Sequence, residues 1–293
     1  MRGARASFGV QEFDPQVQAA INRIQPAEVV ERAVQNLRSA GVPNINFDLI
    51  YGLPHQTAAT LCRTVERSIS MKPNRIALFG YAHVPWVAKN QRLIPVAALP
   101  SAAERTEQAK LAAAALVAGG YTQIGIDHYA LPWDTLAIAA TEGRLRRNFQ
   151  GYTNDTARTL IGIGATAIGR APQGYVQNAS ETGAWSRAVA AGRLPVARGH
   201  ALRGQDLLRS NVIERIMCNG AVDLAAAGDA VGYPGDWYAE HIPELLQMQS
   251  DGLLTYADGR ISLPPKGKPL ARVVASVFDA YLRNCTARHS VAV

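Results

Sequence analysis

Apolar and polar positions along the first 130 residues alternate between two periods. Short blocks with a period near two read as strands, and longer blocks with one apolar face read as helices. Residues 5–10 predict a short buried strand. Asp14-Pro15 then opens a helix, with Asp as N-cap and Pro in the first turn. A second helix starts at Pro26. Val29, Val30, Ala33, Val34 and Leu37 share one of its faces, and Gly41 stops it. Residues 44–51 predict a strand broken by Gly52-Leu53-Pro54, residues 57–70 a helix and residues 75–81 a strand. Ser101-Ala-Ala-Glu104 is a capping box that opens an Ala-rich helix ending at Gly119-Gly120. Residues 122–126 read as a further strand, and 160–168 as a glycine-punctuated one. Strands alternating with helices imply β/α units and a parallel sheet. Ligands of such sheets sit beyond the carboxyl ends of the strands, which singles out Gln11, Asp48, Tyr81-Ala82-His83 and Asp127-His128.

Beyond residue 195 the pattern changes. Residues 205–218, 237–249 and 270–282 predict helices. Residues 253–256 and 260–263 predict a hairpin turning at Asp258-Gly259. The expected division is therefore an α/β part over 1–195 and a small, mostly helical, winged-helix-like domain over 196–293. The helix 205–218 carries Arg209 and Arg215 but also Asp206 and Glu214, so it is not a basic recognition helix. No basic block is interleaved with aromatics, and a nucleic-acid partner is not expected.

Composition changes this picture in three places. The chain has 293 residues, and no apolar run approaches the 18 or more residues of a membrane span; neither a span nor a secretory leader is expected. Its three cysteines, Cys62, Cys218 and Cys285, are far apart, with no C-x-x-C spacing. That favours packed thiols in a reducing, cytoplasmic setting and no metal site within the chain. The net charge is +7, and arginine supplies 25 of the 30 basic residues. Guanidinium groups suit carboxylates and phosphates, so an anionic ligand fits as well as a compositional bias does.

Several groups are candidates for chemistry. Gly162-Ile-Gly164 through Gly169 resembles a phosphate loop but has the wrong spacing for a dinucleotide fingerprint; its glycines could instead let a flat ligand approach the backbone. Asp127-His128 is either a general base, a metal ligand or a hydrogen-bonded structural pair. No histidine pair has metalloprotease spacing, and no serine sits in G-x-S-x-G. Arg144, Arg146 and Arg147, followed by Phe149 and Tyr152, either grip a planar polycarboxylate or form a solvated basic turn.

The stretches Phe8-Gly-Val-Gln-Glu-Phe13 with Asn22-Arg23, Asn46-Phe-Asp-Leu-Ile-Tyr-Gly-Leu-Pro54 and Tyr81-Ala-His83 resemble those of the oxygen-independent coproporphyrinogen III oxidases (coproporphyrinogen III dehydrogenases), within the radical S-adenosylmethionine superfamily. Gly125-Ile-Asp-His-Tyr-Ala130 and Arg147-Asn-Phe-Gln-Gly-Tyr-Thr153 discriminate further and set the chain apart from the related haem-chaperone branch. The resemblance runs in order along the whole chain.

The resemblance implies a partial radical-SAM (β/α) barrel of parallel strands followed by the helical domain. It implies an oxidoreductase of porphyrin and haem biosynthesis that converts two propionates of coproporphyrinogen III to the vinyls of protoporphyrinogen IX. In that family a reduced [4Fe-4S] cluster cleaves S-adenosylmethionine, two molecules of which occupy the site, and the 5′-deoxyadenosyl radical takes a propionate hydrogen. Electron donor and acceptor stay unspecified, and a monomer is expected. By motif, Gln11, Arg23, Asp48 and Ala82 are expected to contact the second S-adenosylmethionine, and Ile168 the first. Arg144, Arg146, Arg147 and Tyr152 are substrate candidates. Catalytic residues are not assigned. The chain departs from the family in lacking the C-x-x-x-C-x-x-C loop whose thiolates ligate the cluster. The expectation is an N-terminally truncated chain, inactive alone, whose cluster belongs to a full-length parent. The rival expectation is a non-catalytic tetrapyrrole-binding or haem carrier protein. An unrelated α/β barrel such as an aldolase ranks last, since no Schiff-base lysine is evident at a strand end.

Overall fold

The computed structural model describes residues 5–149, 151–233 and 235–283. Cys285, His289 and Gln150 of the 147–153 stretch lie outside them. The chain divides into two compact units, one running to Glu142 and the other starting at Gly143.

In the first unit, β1 (Arg5–Gln11), β2 (Asn44–Tyr51) and β3 (Arg75–Gly80) are parallel neighbours. The sheet continues through β5 (His128–Ala130) to β4 (Thr122–Ile124), both antiparallel to their neighbours. Helices α1 (Pro15–Ala20), α2 (Ala27–Ser39), α3 (Ala58–Ser70), α4 (Ala102–Ala118) and α5 (Thr135–Thr141) alternate with the strands. Period two explains the layering. Ile45, Phe47 and Leu49 of β2 are wholly buried on one face, and Asn46, Asp48 and Ile50 point to the other. The buried face joins Ile76 and Leu78 of β3 to Val30 and Val34 of α2, Leu61 and Val65 of α3, and Ala112 and Leu116 of α4. Each helix contributes at i, i+4 spacing.

The local signals act as expected. Asp14 accepts from the backbone of Gln16 and Val17. Both Thr57 and Ser101 form capping boxes, with Thr60 and Glu104. Residues 122–126 differ from expectation. They were expected to extend a parallel sheet, but only three residues separate β4 from β5, too few for a crossover, and Gly125 turns the chain at φ 58°. The result is an antiparallel hairpin, and His128 lies within a strand rather than beyond one.

The second unit is built from antiparallel pieces. β6 (Arg146–Asn148) and β7 (Gly151–Thr153) form a hairpin. β8 (Ile168–Ala171), β9 (Gly174–Asn178) and β10 (Val196–Ala201) form a sheet, with α6 (Thr182–Ala190) between its last two strands. The expected boundary between 195 and 196 falls inside this unit, at the strand that pairs with β9. α7 (Asp206–Asn219) is followed by β11 (Ala221–Asp223) and α8 (Leu224–Asp229). Then come α9 (Ile242–Ser250), β12 (Thr255–Ala257), β13 (Arg260–Ser262), α10 (Ala271–Ser276) and α11 (Ala280–Arg283). The expected hairpin at Asp258-Gly259 forms, with φ 48° and 75° at its tip, and β11 adds a third strand to it. The helix expected over 270–282 is two helices, because the Asp279 carboxylate accepts from Tyr281 and Leu282 and starts a new turn.

The strand expected over 160–168 is a loop. Leu160 makes a single bridge to Arg170, and the strand begins at Ile168. A Cβ at Gly162 would stand 2.8 Å from the Ile168 backbone, and one at Gly169 would stand 3.0 Å from the Leu160 carbonyl. The glycines thus let the loop lie against β8. The Asn178 amide donates to the Gly162 and Gly164 carbonyls at 3.1 and 2.9 Å. The chain's own backbone fills the space that a phosphate or flat ligand would need. Among the described residues, no helix is long and apolar enough to cross a membrane.

Candidate functional site

The face of the first sheet away from the helices is polar. Register places Gly9, Asp48, Ala77 and His128 side by side on four neighbouring strands. Asn46 donates to Asp48 at 3.1 Å and reaches the Ser7 hydroxyl at 3.4 Å. Burial pushes the Asp48 carboxyl above its ordinary range, and the Asn46 hydrogen bond and the His128 charge pull the other way. His128 Nδ1 shares a 2.7 Å hydrogen bond with the Asp127 carboxylate, and the ring packs edge-on against Phe79. Both members of this pair are buried, and the carboxylate fixes how the imidazole is presented to the polar face.

At the carboxyl end of β1 the register slips between Gly9 and Gln11, and Gln11 takes φ 66°, a conformation that glycine usually fills. The slip brings three groups together. Arg23, from the turn after α1, donates to the Gly9 carbonyl. A Cβ at Gly9 would stand 2.7 Å from Gln11 Nε2 and 3.4 Å from Arg23 Nη2. Gln11 Oε1 is buried without a hydrogen-bond partner among the described residues. A strained residue with an orphaned acceptor marks a place where a ligand donor completes the site. Gln11, Arg23 and Asp48 therefore gather around Gly9. Ala82 follows β3 at the same carboxyl-end edge, with its carbonyl accepting from Gln91.

A buried polar network secures this edge, and the sequence reading missed it. The Glu12 carboxylate accepts from the Phe13 and Asp14 backbone at 2.7 and 3.1 Å, from Gln56 at 2.6 Å and from the Thr64 hydroxyl. Gln56 also donates to the Ile50 carbonyl, and Gln108 links the Gly52 amide to the Gln56 carbonyl. Burial raises the Glu12 pKa against these hydrogen bonds. The network fixes the loops that leave β1 and β2. One signal was present: Gln108 occupies the same stripe of α4 as Ala112 and Leu116, and a polar residue on a buried stripe needs partners.

The remaining expected residues lie in the second unit. Ile168 opens β8, half-buried. Tyr152 is buried, and its hydroxyl donates to the Met217 carbonyl at 3.0 Å. Arg146 is held by Glu214 at 3.4 Å. Arg144 is exposed and lines a cleft with Arg215 and Cys218. Arg147 lies over the Tyr152 ring with its Nε buried and unpartnered. It faces a cavity of about 310 Å³ whose wall also includes Arg158, Arg170, Phe149, Tyr175, Asp155 and Glu214. Arg158, Arg170 and Tyr175 were not singled out in sequence, because residues 11 to 28 positions beyond Arg147 reveal no common wall there.

The two cofactors of the family fit these residues differently. S-adenosylmethionine offers a carboxylate, an ammonium and ribose hydroxyls. These complement Arg23, Asp48 and the orphaned Gln11 acceptor. An iron–sulfur cluster needs thiolates close together. Cys62 belongs to α3 and Cys218 to α7, in different units. Burial raises both thiols, that of Cys218 to about 12. Among the described residues no group of three or more His, Cys, Asp or Glu is arranged to hold a metal. These residues do not fit a cluster.

A profile described as the Radical SAM superfamily matches residues 2–67, the segment that carries Gln11, Arg23 and Asp48. "Coproporphyrinogen III oxidase, anaerobic 1" of Cereibacter sphaeroides is 47% identical over 277 residues, covering 94% of this chain and 61% of the relative. The oxygen-independent coproporphyrinogen III oxidase of Bradyrhizobium diazoefficiens is 47% identical over 289 residues, covering 99% and 64%. The coproporphyrinogen III oxidase (HemN) of Escherichia coli, described as a radical SAM enzyme, superposes with a TM-score of 0.88 at 36% identity, over 94% of this chain and 64% of that one. The chain thus spans a little under two thirds of the length of these relatives. Over nearly all of its own length it is similar to these oxygen-independent coproporphyrinogen III oxidases.

Proposed function

We propose that this chain supplies the S-adenosylmethionine-binding edge and the following domain of an oxygen-independent coproporphyrinogen III oxidase, acting in the oxidative decarboxylation of coproporphyrinogen III to protoporphyrinogen IX. In this reading the parallel strands are part of a (β/α) barrel, and the three-stranded sheet with its helices is a winged-helix-like domain. A reducing, cytoplasmic setting suits the scattered thiols.

The observation that carries the reading is the cluster of Gln11 and Arg23 around Gly9, opposite Asp48. Arg23 is placed to clamp a methionine carboxylate bidentately. Asp48, ionised, accepts from the α-ammonium or a ribose hydroxyl, and the Gln11 carbonyl takes a second donor. Ala82 contributes a backbone group or a small apolar wall beside this molecule, the second of two. Ile168 contributes an apolar wall to the first. The cofactor, when bound, supplies the hydrogen-abstracting radical; the residues named here orient it and exclude water. No step through the cluster is derived from this chain.

Calorimetric titration with S-adenosylmethionine tests the assignment. Arg23→Ala should weaken binding by well over tenfold, since hydrogen bonds between charged groups contribute about 1.5–3 kcal/mol each. Equal affinity in wild type and variant would remove the assignment. The raised thiols of Cys62 and Cys218, ill suited to ligating a cluster, favour a second reading, a tetrapyrrole-binding protein without radical chemistry. That reading is supported if the chain binds a porphyrin tetracarboxylate tightly and S-adenosylmethionine has no effect.

A further inference from the structure

A cavity in the second unit is lined by basic groups that the described residues leave unanswered. Three guanidinium groups meet at its wall: Arg147 from β6, Arg158 from the loop after β7, and Arg170 from β8. Among the described residues none of the three pairs with a carboxylate. Two acids share the wall: Glu214 is already engaged by Arg146 and by the Arg147 backbone amide at 3.0 Å, and Asp155 accepts from the Ala157 amide at 2.9 Å. Among the described residues, Arg147 Nε is buried with no acceptor. A donor in that position costs free energy unless something accepts from it.

The rest of the wall is aromatic. Phe149 and Tyr175 stand edge-to-face with centroids 5.2 Å apart, and the Arg170 guanidinium lies 5.9 Å from the Tyr175 ring centre. Phe149 is half exposed, although aromatic side chains of this size are usually covered. A ligand matching this wall has a flat, apolar ring and at least one carboxylate. The volume, about 310 Å³, is at the small end of small-molecule sites. It admits one ring with its acidic arm, not a whole macrocycle.

We propose that this cavity binds one propionate-bearing pyrrole ring of the tetrapyrrole, with Arg147, Arg158 and Arg170 holding the carboxylate and the Phe149–Tyr175 pair packing on the ring. The proposal rests on the functional reading above, because it takes its ligand class from it. It adds Arg158, Arg170 and Tyr175 to the substrate candidates.

Two ligand carboxylates are available, that of the macrocycle and that of S-adenosylmethionine, and titration separates them. The probe is coproporphyrin III, the air-stable oxidised macrocycle, followed by its absorbance and by quenching of protein fluorescence. The comparison ligands are its tetramethyl ester and S-adenosylmethionine. Wild-type protein should bind the acid saturably and bind the ester at least tenfold more weakly. Arg158→Gln and Arg170→Gln should each weaken the acid at least tenfold, with circular dichroism unchanged. Tyr175→Leu should weaken both the acid and the ester. Equal porphyrin affinity in wild type and in both arginine variants would overturn the proposal while leaving the functional reading intact. If the two variants lose S-adenosylmethionine as well as porphyrin, the cavity serves the cofactor and the proposal also falls. Failure of the Arg23→Ala test, with these results as expected, would overturn the functional reading and keep a carboxylate-binding cavity.

Discussion

At the scale of single residues, Asp48 sets a carboxylate against burial. Its carboxyl is raised above the ordinary range chiefly by burial, and only Asn46 and His128 offset that cost. An acid whose folded pKa is raised holds protons that the unfolded chain has already released. Ionised Asp48 therefore subtracts stability at neutral pH, and the loss fades as pH falls through its folded value. Asp48→Asn keeps the Asn46 hydrogen bond and removes the buried charge. It should raise the thermal midpoint at pH 7 and weaken S-adenosylmethionine about tenfold or more, measured by melting curves with and without ligand. A lower midpoint with unchanged ligand affinity would show that Asp48 is a structural carboxylate.

At the scale of elements, the amino ends of the parallel strands are tied by charge. Asp134 accepts from Arg75 at 2.7 Å and from Arg5 at 3.3 Å while capping α5 through the Leu136 amide at 2.8 Å. Burial alone would raise the Asp134 pKa, but the hydrogen bonds and charges of the two arginines outweigh it and the net direction is down. A depressed acid contributes stability above its unfolded value, near 3.9, and loses it as pH falls through the folded one. Asp134→Asn retains a capping side chain but leaves Arg5 and Arg75 facing each other. The expected cost at pH 7 is about 3 kcal/mol, shrinking toward zero below about pH 3.9, as read by urea unfolding at both pH values. A cost independent of pH would assign the effect to packing. Most elements were legible in the sequence because their signals are local: the Ser101 and Thr57 boxes, the Asp258-Gly259 turn, the alternation in β2. The direction of β4 and β5 was not, because period two describes a strand's faces and not its orientation. Nor was the Glu12–Gln56–Gln108 network, whose members are 44 and 52 positions apart. Among the candidate site residues, Gln11 and Asp48 were legible as strand-end positions, and Arg23 only through a motif. Sequence alone leaves Tyr152 open, because an aromatic next to arginines reads the same whether it faces a ligand or a helix.

At the scale of the whole chain, thiol chemistry decides what the polypeptide can hold. Metal binding needs deprotonated cysteine, and a thiol with a raised pKa must release its proton at a cost before it can ligate. Cys218 is pushed to about 12, first by burial and then by Glu214, with Arg147 and Arg146 only partly offsetting this. Cys62 is raised by burial and by Glu66. Cys62 and Cys218 are packed on helices of different units, and only Cys285 remains beyond them. Ligation by Cys62 and Cys218 would require both thiols to give up their protons against that burial. Anaerobic reconstitution of this polypeptide with iron and sulfide should therefore give iron close to the blank and no broad cluster absorption, while S-adenosylmethionine still binds through Arg23 and Asp48. About four irons per chain with the cluster band would show that these cysteines can be brought together, and would return the radical step to this chain's own residues.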